Sequence, residues 1–422
     1  MSLEPFSSNN ASTSSTLDCD IAIVGGGVAG TTLACALKNS GLRVALLDSQ
    51  SLEAATARAQ VYALTLLTGR ILNGIGVWQD ILPKITTFKE IRLSDGDRPF
   101  PVQFFPSDVR LDRATHRLRE RLGYVAEHTP LLSTLQDFLH DADNVTTLCL
   151  SEVLGVEYGD DRATVTYRRE GETKSLCARL VVGADGARSK IRTEAGIQTY
   201  GWKYWQSCVT CKVKPEKSHE NIAYERFRSN GPFAILPLPN NRCNIVWSVP
   251  HARAHELAEM DEERFTEELQ RQYGDSMGAV KVISPRQVFP VQLMQSERYV
   301  KPRLALLGDA AHRCHPVGGQ GLNMGIRDVA ALAQVVQTAR RDGKDIGSIE
   351  VLKQYESWRQ GENSVILGFT DFLDRMFSNN ILPIVAARQI GLWTLRNVKP
   401  IKTIALQLMT GLLGRQPEIA RD

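Results

Sequence analysis

A chain of 422 residues with 43% hydrophobic side chains is long enough for two or three domains and apolar enough to bury a large core, which excludes disorder as its default state. Its 50 basic and 47 acidic side chains leave a net charge of +3, so charge gives no support to a nucleic-acid partner. The eight cysteines are scattered through apolar segments, as reduced thiols in a reducing compartment would be.

Residues 1–17 are rich in Ser, Thr and Asn and contain no basic residue, so they are expected to form a disordered tail rather than a signal or transit peptide. Asp20 to Val24 reads as a short strand running into Gly25, Gly27 and Gly30 at G-x-G-x-x-G spacing. A helical pattern follows (Leu33, Ala34, Leu37), then a second strand, Arg43 to Leu47, ending at Asp48. In such a unit the first glycine permits the tight turn and the second lets a pyrophosphate approach the backbone. The third lets helix and strand pack closely, and the strand-end acid holds ribose hydroxyls. At this point the dinucleotide is NAD or FAD.

After Trp78 the pattern changes to short alternating strands and turns, with a helix expected at Leu131–Leu139 and strands near Val145–Leu150 and Thr164–Tyr167. Leu180–Val182 returns to the nucleotide-binding part, beside Asp185 and the basic residues Arg188, Lys190 and Arg192. Those three either steer the phosphates of a nicotinamide cofactor or solvate a helix face. Residues 201–300 form a second β-rich block carrying Trp202, Tyr204, Trp205, Phe227, Phe233 and Trp247. Some of these are expected to wall a hydrophobic cavity and most to be ordinary sheet packing. Cys208 and Cys211 form a CxxC with no second ligand pair, so a structural role is expected.

Leu304 to Leu307 reads as a buried strand ended by Gly308, with Asp309 at the carboxyl end of a sheet, where α/β folds bind ligands. Pro316 stiffens a turn, and Gly318, Gly319 and Gly321 clear side chains from a loop that opens a helix (Leu322, Ile326, Val329). Backbone N–H groups at such a start face a ligand with partial negative charge. The distance from Gly25 to this second strand suits a long ligand. An AMP end would lie at Gly25–Gly30, a ribityl chain at Asp309 and a ring at Gly319–Asn323. That favours FAD over NAD. His312 and His315 are read as hydrogen-bonding residues that shape the loop, and without a third ligand they make no metal site.

No run reaches the ~18–20 apolar residues of a membrane span. The last stretch is helical in pattern, with apolar runs from Ile381 and from Ile404 punctuated by Arg375, Arg388, Arg396, Lys399, Lys402 and Arg415. Such helices either lie on a membrane surface or pack on the body or a partner subunit.

Three motifs carry a resemblance. They are Gly25–Gly30 with its downstream acid, Gly183 to Arg192 around Asp185, and Gly308-Asp309-Ala310-Ala311-His312 through Pro316 to Gly321-Leu322-Asn323. In that order the sequence resembles the FAD-dependent aromatic hydroxylases related to p-hydroxybenzoate hydroxylase, and within them the ubiquinone-biosynthesis group. Arg58 through Trp78 resembles the family's arginine-containing segment near the flavin. Tyr224 to Phe227 with Gly231 to Leu238 looks like its substrate-domain strands, and Asp371 to Ser378 with Arg388 and Gly391 resembles its C-terminal helices. Asp48 stands where Glu is commoner in the family, and Thr129 is a weaker candidate for a cofactor contact near Glu127.

The resemblance implies an α/β fold: a Rossmann-like FAD-binding domain (residues 18–80, 125–195 and 285–345), an interleaved mixed β-sheet substrate domain (81–124 and 196–284) and a helical C-terminal region (346–422). Implied FAD-binding residues are Gly25, Gly27, Gly30, Asp48, Arg58, Asp185, Gly308, Asp309, Gly319, Gly321, Leu322 and Asn323. Pro316, Leu322 and Asn323 would shape the reacting face of the ring, and no general base is assigned. The implied reaction is hydroxylation of a prenylated phenol or quinol in ubiquinone or plastoquinone synthesis. It uses O2, with NAD(P)H as transient co-substrate, through a C4a-hydroperoxyflavin. Plastoquinone is preferred because Gly201–Ser207 and Cys314–Gln320 look closest to members from oxygenic photosynthetic bacteria. Expected surroundings are the cytoplasm or the membrane periphery, as a homodimer or within a quinone-synthesis complex. The rival readings are a geranylgeranyl-reductase-like flavoprotein and a non-catalytic FAD-binding scaffold. A flavin halogenase is disfavoured because the Trp-x-Trp-x-Ile-Pro motif is absent.

Overall fold

The computed structural model describes residues 18–96, 100–109 and 120–421, so the tail expected over residues 1–17 lies outside the described residues. Four runs of Val, Ile, Leu and Ala form the centre of a parallel sheet. Its order is Val145–Leu148, Val44–Leu47, Cys19–Val24, the end of Glu172–Gly183, and Leu304–Leu306. Strands covered on both faces read as continuous apolar runs, and Val44–Leu47 is buried at every position. Glu172–Gly183 serves two arrangements. Its first half pairs antiparallel with Ala163–Arg169, and from Ala178 onward it runs parallel to Cys19–Val24. Helix Val28–Ala36 joins the first two strands, and helices His128–Leu139 and Gln320–Arg341 pack beside it.

Among the described residues the second sheet has nine strands. Its long member, Thr199–Pro215, pairs antiparallel with Arg242–Pro250 and with Gln287–Ser296. Tyr224, Phe233, Ile235 and Trp247 face helices His251–Glu259 and Glu262–Tyr273, whose Leu257, Phe265 and Leu269 complete one core. Successive residues alternate faces, so Ala223, Glu225, Phe227, Ala234 and Leu236 turn the other way. A small third sheet joins Val61–Thr65 and Thr86–Phe88 to Gly123–Glu127.

Sheet membership departs from the expected residue ranges in three places, one being the short strand His312–Arg313, which pairs with Gln287–Ser296 in the second sheet although it lies in 285–345. Gln287–Ser296 sits in the second sheet, although its position in 285–345 put it with the nucleotide-binding strands. Thr86–Phe88 sits in the third sheet, although 81–124 put it with the substrate part. Alternation identifies a strand but not its partner, which long-range register decides.

Helix Ile349–Phe377 packs along Gln320–Arg341 and carries the chain to Leu382–Asn397 and Lys399–Met409. The last two helices are largely exposed, with Arg388 and Leu406 as their buried residues. No helix among the described residues is long and apolar enough to cross a membrane.

Candidate active site

The glycines of the first turn have three different surroundings. Gly25 has φ +112°, and a Cβ there would lie 2.4 Å from the Ala184 carbonyl oxygen. At Gly30 a Cβ would lie 1.9 Å from the Gly25 carbonyl oxygen, so helix and strand touch through it. At Gly27 a Cβ would meet nothing within 4 Å, and this residue faces a cavity of about 1060 Å³. The turn is therefore closed where the fold needs closeness and open where a ligand would lie.

That cavity brings together eleven of the thirteen residues singled out from sequence: Gly25, Gly27, Asp48, Arg58, Asp185, Gly308, Asp309, Pro316, Gly319, Gly321 and Leu322. Asp48 accepts the backbone N–H of Gly26 at 2.6 Å and of Gln50 at 2.7 Å, so it also braces the turn. Arg58 donates to Gln50 Oε1 at 2.8 Å. Asp185 accepts from Ser189 Oγ at 2.5 Å and from the Ile191 N–H at 3.1 Å, which ties it to the start of the short helix Lys190–Glu194. Arg192 donates to the carbonyls of Ala310 and Ala187, and so joins this segment to the strand end at Asp309 rather than to solvent.

Asp309 is half exposed to the cavity, with Arg313 3.8 Å away. Gly308 before it has φ +58° and donates its N–H to Asp328 Oδ2 at 3.1 Å. Gly318 (φ +70°) and Gly319 (φ +62°) turn the chain into helix Gln320–Arg341, whose first turn has no acidic residue and no side-chain cap. Its leading N–H groups carry the positive end of the helix dipole toward the cavity beside Gly319, Gly321 and Leu322.

Gly30 and Asn323 stand behind the wall. Asn323 is fully buried, and its side chain makes four hydrogen bonds. Oδ1 accepts from the Thr65 N–H at 2.9 Å and from Thr68 Oγ1 at 2.7 Å, while Nδ2 donates to the Ala63 carbonyl at 2.8 Å and the Gly319 carbonyl at 2.7 Å. It positions the loop through these bonds, and its side chain has nothing left for a ligand.

Both histidines brace the loop. His312 Nε2 lies 2.5 Å from Asp328 Oδ2. Asp328 also accepts from Arg359 Nε at 2.9 Å, and these charges hold its carboxyl far below the usual carboxylate range despite burial. His315 Nε2 faces Gln206 Oε1 at 3.1 Å, its Nδ1 accepts the Val317 N–H at 3.1 Å, and burial pushes its pKa down to about 4. Sequence reasoning missed Asp328 and Arg359 as supports of Gly308, and it missed Glu225. Glu225 faces the cavity from strand Ile222–Arg228, and burial pushes its carboxyl up to about 8. Asp328 lies five residues past the third motif and was within reach of a sequence reading. Nothing in sequence marks Glu225 as facing inward.

Past the loop the cavity becomes apolar. Leu93, Phe227, Ala234, Leu236 and Val246 line it from the second sheet, and Phe369, Phe372, Leu373, Met376, Leu392 and Leu395 from the C-terminal helices. The volume is at the top of the ~300–1,000 Å³ range of single small-molecule sites. FAD fits the polar arm on this chain's own evidence: the open face at Gly27, the free carboxylate edge of Asp309 and the uncapped helix start at Gly319.

Fold and site together define an FAD-binding α/β oxidoreductase with an attached apolar chamber. The family model described as "FAD binding domain" matches residues 18–362. A protein of Synechocystis described as uncharacterized is 49% identical over 401 residues, covering 95% of each chain. The ubiquinone hydroxylase UbiL of Rhodospirillum rubrum is 36% identical over 405 residues, covering 95% of this chain and 92% of that one. The crystal structure of p-nitrophenol 4-monooxygenase from Pseudomonas putida superposes with a TM-score of 0.79 at 18% identity, covering 94% of this chain and 98% of that one, a likeness of fold. The chain belongs to the FAD-dependent flavoprotein monooxygenases, in the ubiquinone-hydroxylase group of aromatic hydroxylases.

Proposed function

We propose that this FAD-dependent hydroxylase adds oxygen to the aromatic ring of a prenylated phenol or quinol precursor in prenylquinone synthesis, with plastoquinone preferred over ubiquinone. NAD(P)H and O2 are the co-substrates. The observation that carries the reading is the continuity of the cavity: the polar cradle from Gly27 to Asp309 opens past Pro316 and Gly319 into a chamber lined by Phe227, Leu236, Phe372 and Leu392. A polar aromatic head would rest against the loop, and an isoprenoid chain would gain about 25 cal/mol per Å² of apolar surface buried beyond it.

Bound FAD supplies hydride acceptance and oxygen activation, chemistry that no side chain can provide. The residues of this chain would bind and orient it. Gly27 would admit the pyrophosphate, Asp48 and Asp309 would accept hydroxyls, and the helix start at Gly321–Leu322 would stabilise negative charge on the ring. Arg58 would contact FAD, and Arg188 and Lys190 are the cations we assign to transient NAD(P)H docking.

Beside the chamber, Leu382 (80% exposed), Ile390 (67%), Trp393 and Ile404 form an apolar surface on the last helices, with Arg396 and Lys399 among them. We assign this surface to peripheral membrane contact, where a prenylated substrate would be met. The test compares NAD(P)H oxidation on phenols that differ only in prenyl chain length. Efficiency rising with chain length supports the reading. Equal stimulation by a bare phenol contradicts the chamber's assignment.

A further inference from the structure

The face of the second sheet that lines the cavity is apolar at Leu93, Ala223, Phe227, Ala234 and Val246. Among the described residues, Glu225 is the carboxyl of that face that lines the cavity, whereas Asp95, beside Phe227, is held by Arg388 and Gln389. The strand register of Glu225 places it between Leu93 on one neighbouring strand and Ala234 on the other. No cation is paired with it among the described residues. The backbone N–H of Gly318, in the turn before the uncapped helix, favours its charged form against the larger effect of burial. Glu225 therefore sits where the polar cradle passes into the apolar chamber, at the place the proposed function gives to the aromatic head.

An apolar wall gains nothing from an unpaired carboxyl, because burying one costs several kcal/mol unless a partner compensates. The partner is then a ligand with a hydroxyl to offer. In its charged form Glu225 repels a carboxylate-bearing ring and accepts from a neutral phenol. We propose that Glu225 is the catalytic base of the ring hydroxylation, hydrogen-bonded to the aromatic hydroxyl of the substrate and taking its proton. This rests on the hydroxylase reading above.

In the step, the phenolic O–H bond breaks and its electron pair stays on the ring oxygen. The proton goes to the Glu225 carboxylate, which becomes neutral. The ring carbons ortho and para to that oxygen gain electron density and react with the oxygen activated by reduced FAD. As the new C–O bond forms, the O–O bond of the activated oxygen breaks and its other oxygen leaves as water. The C–H bond at the oxygenated carbon then breaks, its proton going to solvent and its electron pair restoring the aromatic ring, while the Glu225 carboxyl returns its proton to the ring oxygen.

A base poised near working pH is the efficient one, and burial holds Glu225 at about 8. The elements around it do not compete for the proton. Cys208 on strand Thr199–Pro215 and Cys314 before Pro316 are each pushed up to about 12 by burial and stay neutral. His315 is occupied by Gln206 and Val317. Asp371 bonds Tyr204, Asp374 bonds Ser378, and Arg388 is held by Asp95.

The experiment uses the full FAD-loaded chain and measures hydroxylated product from a prenylated phenol against pH, for the wild type, Glu225→Gln and Glu225→Asp. The wild-type rate should rise with pH and level off above about 8. Glu225→Gln should lose roughly 100-fold with that rise abolished, and Glu225→Asp should recover part of both. A Glu225→Gln protein with the wild-type rate and the same rising profile overturns the proposal. Infrared difference spectra supply a readout without turnover. A protonated buried carboxyl, absent from the Gln variant, should titrate near 8 and shift when the phenol binds. A carboxyl signal indifferent to the phenol also overturns the proposal. If the wild type hydroxylates no phenol, the functional reading fails first, and the infrared response still decides whether Glu225 exchanges a proton with a bound ring hydroxyl.

Discussion

The Asn323 side chain accepts the Thr65 backbone N–H at 2.9 Å, which fastens the end of strand Val61–Thr65 to the first turn of the helix behind the cofactor loop. The same amide holds the carbonyls of Ala63 and Gly319, so the glycine loop that lines the cavity is hung from a separate sheet. Asn323→Ala would leave several buried backbone groups unpaired. At ~1–3 kcal/mol for each, partly offset by relaxation, the loss should be roughly 3–5 kcal/mol. Urea denaturation should show it, and FAD affinity should fall in parallel although the side chain lies outside the cavity.

The three glycines of the first turn separate stability from binding. Gly27→Val adds a side chain into open space and should leave the melting temperature nearly unchanged while the protein purifies without yellow colour. Gly30→Ala drives a methyl into the Gly25 carbonyl and should cost about 1–3 kcal/mol or more by overpacking. Flavin absorbance and circular-dichroism melting, measured on both variants, check the contrast. Normal flavin content in Gly27→Val would mean the pyrophosphate lies elsewhere.

Asp309 braces little of the fold itself, since its carboxylate is half exposed and its neighbour Arg313 is 3.8 Å away. Asp309→Ala should therefore weaken FAD binding by tenfold or more, roughly the 1.5–3 kcal/mol of a charge-assisted hydrogen bond. It should shift the denaturation midpoint of the apoprotein hardly at all. Equilibrium dialysis against FAD is the measurement.

Much of this was legible in the sequence because it is local. The strand–glycine–helix–strand unit from Cys19 to Asp48 needs only neighbouring residues to be recognised, as does the strand end at Gly308-Asp309. The partners of Asn323 were not legible, because Ala63, Thr65 and Thr68 come from a segment some 260 positions away. Glu225 was hidden for a related reason. Whether it faces the helices beside Phe265 or the cavity is set by the register against Leu93 and Ala234, and a one-residue slip would reverse it. The pairing of Gln287–Ser296 with the second sheet is again a matter of partner choice.

His315 gives the fold a pH dependence. It is fully buried, and its pKa of about 4 lies below the ~6.5 of an exposed histidine. Between those values the unfolded chain holds a proton that the folded chain does not. The stability is complete above pH ~6.5 and is lost as pH falls toward 4, by about 3 kcal/mol. Asp374, 3.5 Å away and raised by its own burial, acts in the opposite sense. His128, lowered by burial, acts in the same sense as His315. The His315 share is therefore read by difference: His315→Asn should flatten the fall in denaturation midpoint between pH 7 and pH 5. An unchanged slope would place the acid sensitivity elsewhere.

The central claim is that the continuous cavity joins FAD to a prenylated phenol so that oxygen enters the ring. The most direct measurement is the product mass when the FAD-loaded protein turns over a prenylated phenol with NAD(P)H under isotopically labelled O2. The account predicts a product heavier by one labelled oxygen atom, formed only when O2 is present. A product heavier by hydrogen and indifferent to O2 would contradict it and make the protein a reductase of the prenyl chain.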